Sequence, residues 1–186
     1  NIFVNVYDGF DRLTAKKQPD SNATSTLLTA LSFTYTDAIK IQKSETLDAS
    51  TTVDTYAYLD GLGRKLQERK EAEGSNYSVK DFVYNNIGLL QKESLPYFST
   101  GSATTTATTT AALYTTYAYD ALRRINTQAT AVGTTTTAYL NWSTTVTDPR
   151  NKIKSFHYNA YGNLSEVNEN SSWNIASSEL YETSLY

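Results

Sequence analysis

An aromatic residue followed two positions later by tyrosine occurs five times in this chain of 186 residues. The pairs are Phe33/Tyr35, Tyr56/Tyr58, Phe82/Tyr84, Tyr117/Tyr119 and Phe156/Tyr158. Tyr7 marks a sixth copy, which has the polar segment that follows but no leading aromatic residue. The second tyrosines recur every 23 to 39 residues. A unit that recurs on this scale indicates a fold built by stacking one small module.

Each pair is followed by a polar segment that fits a reversal of the chain. The shared pattern is Tyr, then Asp or Asn, two variable residues, a turn-forming residue, Arg or Asn, and Leu or Ile. Two aromatic residues at period two lie on one face of a strand, and Asp or Asn can bond its own backbone to start a turn. Gly63, Gly88 and Gly162 can adopt the positive φ of a tight reversal. The module is therefore predicted to be a β-hairpin, with turns near residues 7–13, 35–41, 58–66, 84–90, 119–125 and 158–164.

The residues that define the repeat are its tyrosines, the acidic residues and glycines of the turns, and the arginines that follow. They are Tyr7, Asp8, Arg12, Tyr58, Asp60, Gly63, Arg64, Tyr84, Gly88, Tyr119, Asp120, Arg124, Tyr158 and Gly162, together with Asp148 and Pro149 of a related segment. We expect the tyrosines to pack between hairpins and the arginines to pair with turn carboxylates or neighbouring strands. Two copies depart from the pattern: Leu59 is inserted before Asp60, and the turn after Tyr35 has lost its glycine and its arginine.

This pattern resembles the RHS/YD-repeat family (rearrangement-hotspot or tyrosine-aspartate repeats), whose consensus reads roughly Y-D-x-x-G-R-L. A second segment, residues 146–152 followed by Phe156 to Asn159, resembles the V-T-D-P-x-G-x phrase that precedes such a hairpin. Asn151 replaces the usual glycine there, a mild change because asparagine tolerates left-handed backbone. The resemblance extends from about Val4 to Asn168. It implies an all-β fold in which consecutive antiparallel hairpins form a ribbon or a spiral β-sheet.

The resemblance also implies a container or scaffold. Family members wind the ribbon into a hollow β-shell, which encloses a toxic polypeptide in bacterial relatives and forms part of an adhesion protein in animal relatives. We therefore expect a non-catalytic segment of a secreted or cell-surface bacterial shell. Its partners would be the rest of its parent chain and an encapsulated polypeptide. Residues 1–186 are expected to be a single repeat array cut from a longer chain, and its open strand edges to favour edge-to-edge self-association.

Composition favours a sheet whose core depends on tyrosine and leucine. The chain has 15 Tyr and abundant Thr, both typical of strands, whereas hydrophobic residues are only 39% of the total. The net charge of −3 is scattered, so no basic patch is present for nucleic acid. No apolar run approaches membrane-spanning length. The absence of Cys excludes disulfides and thiolate metal sites.

Three segments are ambiguous from their composition. Residues 65–73 are rich in helix-forming charged residues, but they follow a repeat turn and are therefore predicted to be a solvent-facing return strand. Residues 100–112 are a Thr- and Ala-rich tract, predicted to be a long loop or a hairpin tip. Residues 134–137 show the same bias over a shorter length.

The sequence indicates no catalytic residues, no cofactor and no metal ligands. His157 is the only histidine, and it alternates with Phe156 and Tyr158, which places it on the second face of a strand. Asp8 and Asp11 flank a turn and are expected to cap it, since a calcium loop needs several more oxygen ligands. A glycosidase would need paired carboxylates apart from the turns, and no such pair stands out.

The alternative function is an extracellular adhesion or carbohydrate-binding module. Exposed aromatic rings can stack on sugars, and the two tryptophans are Trp142 and Trp173. Trp142 lies beside the Asp-Pro strand and is expected in the core, because buried aromatic residues dominate core packing. Trp173, in a polar stretch, is the candidate glycan contact. A shell wall should bury most of the tyrosines, whereas an adhesin should expose several aromatic side chains together.

Overall fold

The computed structural model describes residues 3–19, 27–36, 39–48, 50–100, 113–170 and 183–184. Over these residues the chain consists of β-strands and one short 3₁₀ helix at Glu73–Ser75. Two compact units are distinguished. Unit 1 contains Asn1–Phe82 and Ser94–Ala112, and unit 2 contains Val83–Glu93 and Leu113–Tyr186. The predicted all-β fold of consecutive antiparallel hairpins is confirmed.

The strands are numbered in chain order. They are β1 (Val4–Tyr7), β2 (Leu13–Pro19), β3 (Leu27–Thr36), β4 (Lys40–Thr46), β5 (Thr52–Leu59), β6 (Lys65–Glu71), β7 (Asn76–Tyr84), β8 (Leu90–Ser94), β9 (Tyr97–Thr100), β10 (Tyr114–Tyr119), β11 (Ile125–Thr130), β12 (Gly133–Leu140), β13 (Ser143–Thr147), β14 (Ile153–Tyr158), β15 (Leu164–Asn170) and β16 (Thr183–Ser184).

Strands pair in the order in which they occur in the chain. In unit 1, β1 to β7 lie side by side, and every neighbouring pair is antiparallel. β9 pairs with residues 76–79 of β7. In unit 2, β10 to β15 follow the same antiparallel order, with β8 beside β10 and β16 beside β15. Each unit therefore extends sideways by one hairpin after another.

Four hairpins have a register shift directly before the turn. The shifts lie between Val6 and Tyr7, Tyr58 and Leu59, Ala118 and Tyr119, and His157 and Tyr158. In this position Leu59 stands where the other three copies have tyrosine. Because successive side chains of a strand alternate between faces, the inserted Leu59 places Tyr56 and Tyr58 on the opposite face, relative to their turn, from Tyr117 and Tyr119.

The core is small and largely polar. Among the described residues the buried hydrophobic side chains are Tyr56, Tyr58 and Val79, and the buried polar ones are Gln67, Arg69, Asp81, Ser94 and Thr115. The prediction that leucines share the core is wrong, because Leu62 and Leu122 occupy exposed turn positions. Among the tyrosines that the structure describes, only Tyr56 and Tyr58 on β5 are buried.

Charged residues of β6 account for much of this polar core. Residues 65–71 form a strand, as predicted, but the prediction that it faces solvent is wrong for one of its faces. Gln67 and Arg69 are buried, whereas Leu66 and Lys70 on the other face are exposed. Strand alternation separates two sets of side chains that look equally polar in the sequence. Residues 134–137 lie in β12, and residues 101–112 of the Thr-rich tract lie outside the described residues.

Candidate functional site

In the described part of the chain, six turns share one hydrogen-bond pattern that begins at an Asp or Asn. In each, the N–H of the first residue donates to the carbonyl four positions later, at 2.8–2.9 Å. The carbonyl of the first residue accepts from the N–H three positions later, at 2.9–3.1 Å. Its side-chain Oδ1 accepts from the N–H groups two and four positions later, at 2.8–3.1 Å. The turns start at Asp8, Asp60, Asn85, Asp120, Asp148 and Asn159.

The fourth residue of every such turn has a positive φ between 60° and 84°. Gly63, Gly88 and Gly162 supply it in three turns, and glycine adopts this region without steric cost. The other three turns use Asp11, Arg123 and Asn151. The side-chain bonds from the first residue hold these non-glycine residues in a conformation that they seldom adopt.

The Asp-Pro segment forms the same turn, which the sequence interpretation treated as a separate phrase. Asp148 makes the shared hydrogen bonds to Arg150 and Lys152. Pro149 occupies the second position of this turn. The proline ring fixes φ at a value that suits the reversal. In four of the six turns the signal in the sequence is Asp or Asn followed three positions later by Gly or Asn, without regard to a preceding tyrosine; the turns at Asp8 and Asp120 have Asp11 and Arg123 there instead.

In three turns the first residue also holds an arginine. Arg12, Arg64 and Arg124 donate from Nε to Oδ2 of the aspartate four positions earlier, at 2.7–2.8 Å. This is the pairing that we expected for these arginines. The turns that begin with Asn85 and Asn159 have Leu89 and Asn163 in place of arginine. Among these five turns, the arginine is therefore present where the first residue is Asp and absent where it is Asn.

These contacts lower the pKa values of the turn carboxyls. Backbone N–H bonds from Arg64 and Arg124, with help from the guanidinium groups, hold the pKa of Asp60 and of Asp120 below the usual value. Burial raises the pKa of Asp8, but the bonds from Arg12 and Phe10 outweigh it, so the net shift is downward. The carboxyls are therefore ionised acceptors at neutral pH.

In two of these turns, a tyrosine from the next hairpin packs on the arginine. The guanidinium of Arg12 lies 4.4 Å from the ring centroid of Tyr35, and the Tyr35 hydroxyl donates to the carbonyl of Leu13 at 3.0 Å. Leu13 directly follows Arg12. The stacked ring and the hydroxyl bond together fix the β1–β2 turn to β3. We call this arrangement the Asp–Arg–Tyr cluster.

Unit 2 repeats the cluster with Asp120, Arg124 and Tyr139. The Arg124 guanidinium lies 4.1 Å from the Tyr139 ring centroid, and the Tyr139 hydroxyl donates to the carbonyl of Ile125 at 2.9 Å. The sequence interpretation missed Tyr139 because it belongs to no aromatic pair. Tyr119 makes the hydroxyl bond alone, to the carbonyl of Leu90 at 2.7 Å. The first residue after a repeat turn is thus a recurring acceptor for a tyrosine.

A second cluster, in unit 1, is built around Arg69 on one face of β4 to β7. Cross-strand pairing aligns Gln42, Tyr56, Arg69 and Val79 in one row. The Arg69 guanidinium lies 4.4 Å from the ring centroid of Tyr77. That ring in turn meets Tyr56 edge-on, at 6.2 Å between centroids. In this cluster a cation packs on one aromatic ring, and that ring packs against a second.

Two carboxylates complete this polar face. Asp54 accepts hydrogen bonds from the Tyr56 hydroxyl at 3.0 Å and from Gln42 at 2.7 Å. Asp81, which is buried, accepts from Gln67 at 2.7 Å and from the Tyr97 hydroxyl at 2.8 Å. The sequence analysis did not single out either acid, because polar residues within strands look solvent-facing in a sequence. Their bonds cross three pairs of strands and therefore tie the sheet together.

The tyrosines of these networks are held in their neutral form. Burial, followed by the hydrogen bond to Asp54, raises the pKa of Tyr56 far above its usual value. In unit 2, burial and the bond from the Tyr117 hydroxyl to Glu93 raise the pKa of Tyr117 to about 12. Such hydroxyls are hydrogen-bond donors at neutral pH. Neutral hydroxyls of this kind stabilise the sheet through hydrogen bonds and are not bases that could abstract a proton.

The remaining repeat tyrosines differ in exposure. Tyr58 is buried, Tyr84 and Tyr158 are half-buried, and Tyr7 is exposed. The prediction that Trp142 lies in the core is wrong. Trp142 lies in the two-residue β12–β13 turn, at the end of the strands, and 60% of its surface is exposed. Trp173 lies outside the described residues.

Within the described ranges no three His, Cys, Asp or Glu side chains are grouped so as to hold a metal ion. In that part of the chain, no helix is long and apolar enough to span a membrane. His157 is half-buried on β14.

The chain was compared with known families, proteins and structures. A domain of unknown function, DUF6443, matches residues 31–118. No curated protein sequence matches the chain. The crystal structure of TcdB2-TccC3 is similar in fold, with a TM-score of 0.65 and 15% sequence identity over 97% of this chain. The matched region is 12% of the TcdB2-TccC3 chain. This likeness shows that the chain shares its fold with that part of TcdB2-TccC3.

Proposed function

We propose that the chain is a non-catalytic wall segment of an RHS/YD-repeat β-shell. The observation that supports this most strongly is the recurrence of one turn six times between strands that pair in chain order. An array of this kind grows by adding hairpins, and each hairpin is stabilised mainly by its neighbours. The fold likeness to 12% of the TcdB2-TccC3 chain agrees with a segment of a longer chain.

The contacts of the acidic residues favour a structural role. Asp8, Asp60 and Asp120 each accept two backbone hydrogen bonds and one from an arginine. Asp54 accepts from the Tyr56 hydroxyl within β5 and from Gln42 on β4, and Asp81 accepts from Gln67 on β6 and the Tyr97 hydroxyl on β9. A catalytic carboxylate must reach a substrate, whereas these carboxylates accept hydrogen bonds from donors of the protein itself.

The strand edge at β1 supports the proposal that such a segment has a pairing partner. β1 is formed by four uncharged residues, Val4–Tyr7, with none of the lysines or prolines that protect free strand edges. We propose that this edge pairs with another part of the parent chain, and that the shell encloses a polypeptide outside a bacterial cell. When the chain is isolated, the same edge should pair with a second copy.

Replacing Asn5 tests this proposal. Asn5 is exposed and lies opposite Lys16 on β2, so Asn5→Glu adds a favourable cross-strand pair within the fold. Two copies that meet edge to edge would bring the new carboxylates together. We expect the wild-type chain to be β-rich by circular dichroism and larger than one chain by light scattering, with a lower mass for Asn5→Glu. A β-rich wild-type chain whose mass is that of a single copy would refute the pairing.

The exposed aromatic side chains favour a second candidate function, glycan adhesion. Trp142 and Tyr161 are 60% and 91% exposed and occupy turns of the same unit, as an adhesin would require. Affinity electrophoresis in gels containing a polysaccharide tests this alternative. Retardation that is lost in Trp142→Ala and kept in Phe10→Ala would favour the adhesin, and equal mobility with and without polysaccharide would favour the wall segment.

A further inference from the structure

Large exposed side chains recur at one position of the repeat turns. The third residue of the turns that begin at Asn85, Asp120 and Asn159 is aliphatic or aromatic, and the β12–β13 turn adds a tryptophan. We call these four residues of unit 2 the turn row: Ile87, Leu122, Trp142 and Tyr161, which are 58%, 72%, 60% and 91% exposed.

Hydrogen bonds show that these four turns lie along one end of the strands. The Tyr119 hydroxyl, just before the Asp120 turn, reaches Leu90, just after the Asn85 turn. The Tyr139 hydroxyl reaches Ile125, just after the Asp120 turn. The N–H of Tyr158 donates to the carbonyl of Trp142 at 2.8 Å. Successive turns are two strands apart, so the side chains follow one another at roughly 10 Å.

The turn geometry does not require an apolar residue at this position. Only the backbone N–H of the third residue is used, in a bond to the first side chain. The turn at Asp148 makes the same bonds but lies at the opposite end of the strands, and its third residue is Arg150. An exposed aromatic or aliphatic side chain also occupies this position in the unit 1 turns that begin at Asp8 and Asp60, as Phe10 and Leu62. The turn thus accepts both charged and apolar residues, and all four turns at this end of unit 2 carry a large aromatic or aliphatic one.

The same end carries little net charge. Two of its turns begin with amides, Asn85 and Asn159, and the carboxylate of Asp120 is paired with Arg124. Arg123 is the one further charged residue in these four turns. Two copies of the chain could thus approach through this end without the repulsion that a net charge of −3 otherwise imposes.

We propose that the turn row is a contact surface for a second copy of this chain, which meets it through its own turn row about a two-fold axis. Side chains at a regular spacing fit best against a partner with the same spacing, and a second copy supplies it. Large apolar side chains that lie exposed in a row along one end of a sheet are a candidate interaction site. Four turn residues bury less surface than a standard interface, so the contact should be weak and reversible. It is distinct from the pairing of β1 and does not rest on the proposed shell function.

The test is carried out in the Asn5→Glu chain, so that pairing through β1 does not contribute. Sedimentation equilibrium compares this chain with two further variants. Ile87→Ser with Leu122→Ser removes the aliphatic part of the turn row. The matched control, Leu47→Ser with Val132→Ser, replaces two exposed aliphatic residues outside the row. We expect the association constant to fall by at least about tenfold in the first pair and to stay within about twofold in the control.

Three results would overturn the proposal. The first is an Asn5→Glu chain that remains a single copy up to about millimolar concentration, where such a weak contact should be populated. The second is an equal loss of association in both pairs of substitutions. The third is a chain that does not self-associate but is retained by a polysaccharide through Trp142. The last would assign the row to a glycan. Circular dichroism and the urea midpoint, expected to be unchanged, show that each variant is folded.

Discussion

At the scale of single residues, the repeat depends on the first residue of each turn. One Asp or Asn side chain accepts two backbone N–H groups and so fixes the reversal, and an aspartate can in addition hold an arginine. This explains why Asn85 and Asn159 serve where arginine is absent. The tyrosine hydroxyls then bond the residue that follows the turn. The recurrent residues thus have local, structural partners.

Gly133→Ala should destabilise the chain by about 2–3 kcal/mol. The φ of Gly133 is 144°, and an added Cβ would lie 2.5 Å from the Cβ of Pro149. Urea denaturation followed by circular dichroism measures the loss. Gly61→Ala is the control, since nothing lies within 4 Å of its added Cβ. Equal stability of the two variants would show that the Asp148 turn does not pack on Gly133.

Tyr139→Phe should cost about 1 kcal/mol, the usual net contribution of one hydrogen bond. It removes the hydroxyl that donates to Ile125 and keeps the ring beneath Arg124. Tyr161→Phe, at a side chain that is 91% exposed, should change the free energy of unfolding by less than about 0.5 kcal/mol. If the two variants cannot be distinguished in urea, the hydroxyl bond makes no net contribution.

At the scale of strands and hairpins, the sequence predicts the turns well and the burial poorly. Turn chemistry is local: Asp60 and Gly63 lie within one short segment, so their pattern reveals the reversal. Burial depends on which face of a strand is covered, and the inserted Leu59 changes that face for Tyr56 and Tyr58. Arg69 illustrates the limit, because only its cross-strand neighbours distinguish it from the exposed Lys70. Tyr139 was missed for the same reason, since its partner Arg124 belongs to another hairpin.

Tyr58→Ala should cost about 3–5 kcal/mol, because it removes a large ring from the small buried face of unit 1. Tyr7→Ala, at a residue that is 54% exposed, is the matched control and should have a much smaller effect. A loss below about 1 kcal/mol for Tyr58→Ala in urea denaturation would contradict the structural role of the repeat tyrosines.

At the scale of the whole molecule, the lowered pKa values of Asp8, Asp60 and Asp120 make stability depend on pH. A carboxyl with a lowered folded-state pKa stabilises the fold fully above its unfolded-state value of 3.8 and stops doing so as the pH falls through the folded-state value. We therefore expect a steady urea midpoint from about pH 7 to pH 5 and a decrease below about pH 4.

The double variant Asp60→Asn, Asp120→Asn removes the carboxylate charges and keeps the hydrogen bonds of the turns. Asn85 and Asn159 show that an amide makes the same backbone bonds, so the variant should fold and lose less stability on acidification than the wild type. An identical decrease in both proteins would place the acid sensitivity elsewhere in the chain.

Within the described residues β1 is the first strand of the sheet order, and the proposed wall segment would leave its outer edge open to pairing. Hydrogen–deuterium exchange of the peptide that covers Val4–Tyr7, measured at low and at high protein concentration, tests this claim most directly. We predict slower exchange of these amides at high concentration, because the free side of β1 then pairs with another copy. The Asn5→Glu chain should show no such change. Exchange in β1 that is independent of concentration in the wild type would contradict the account and favour a self-contained binding module.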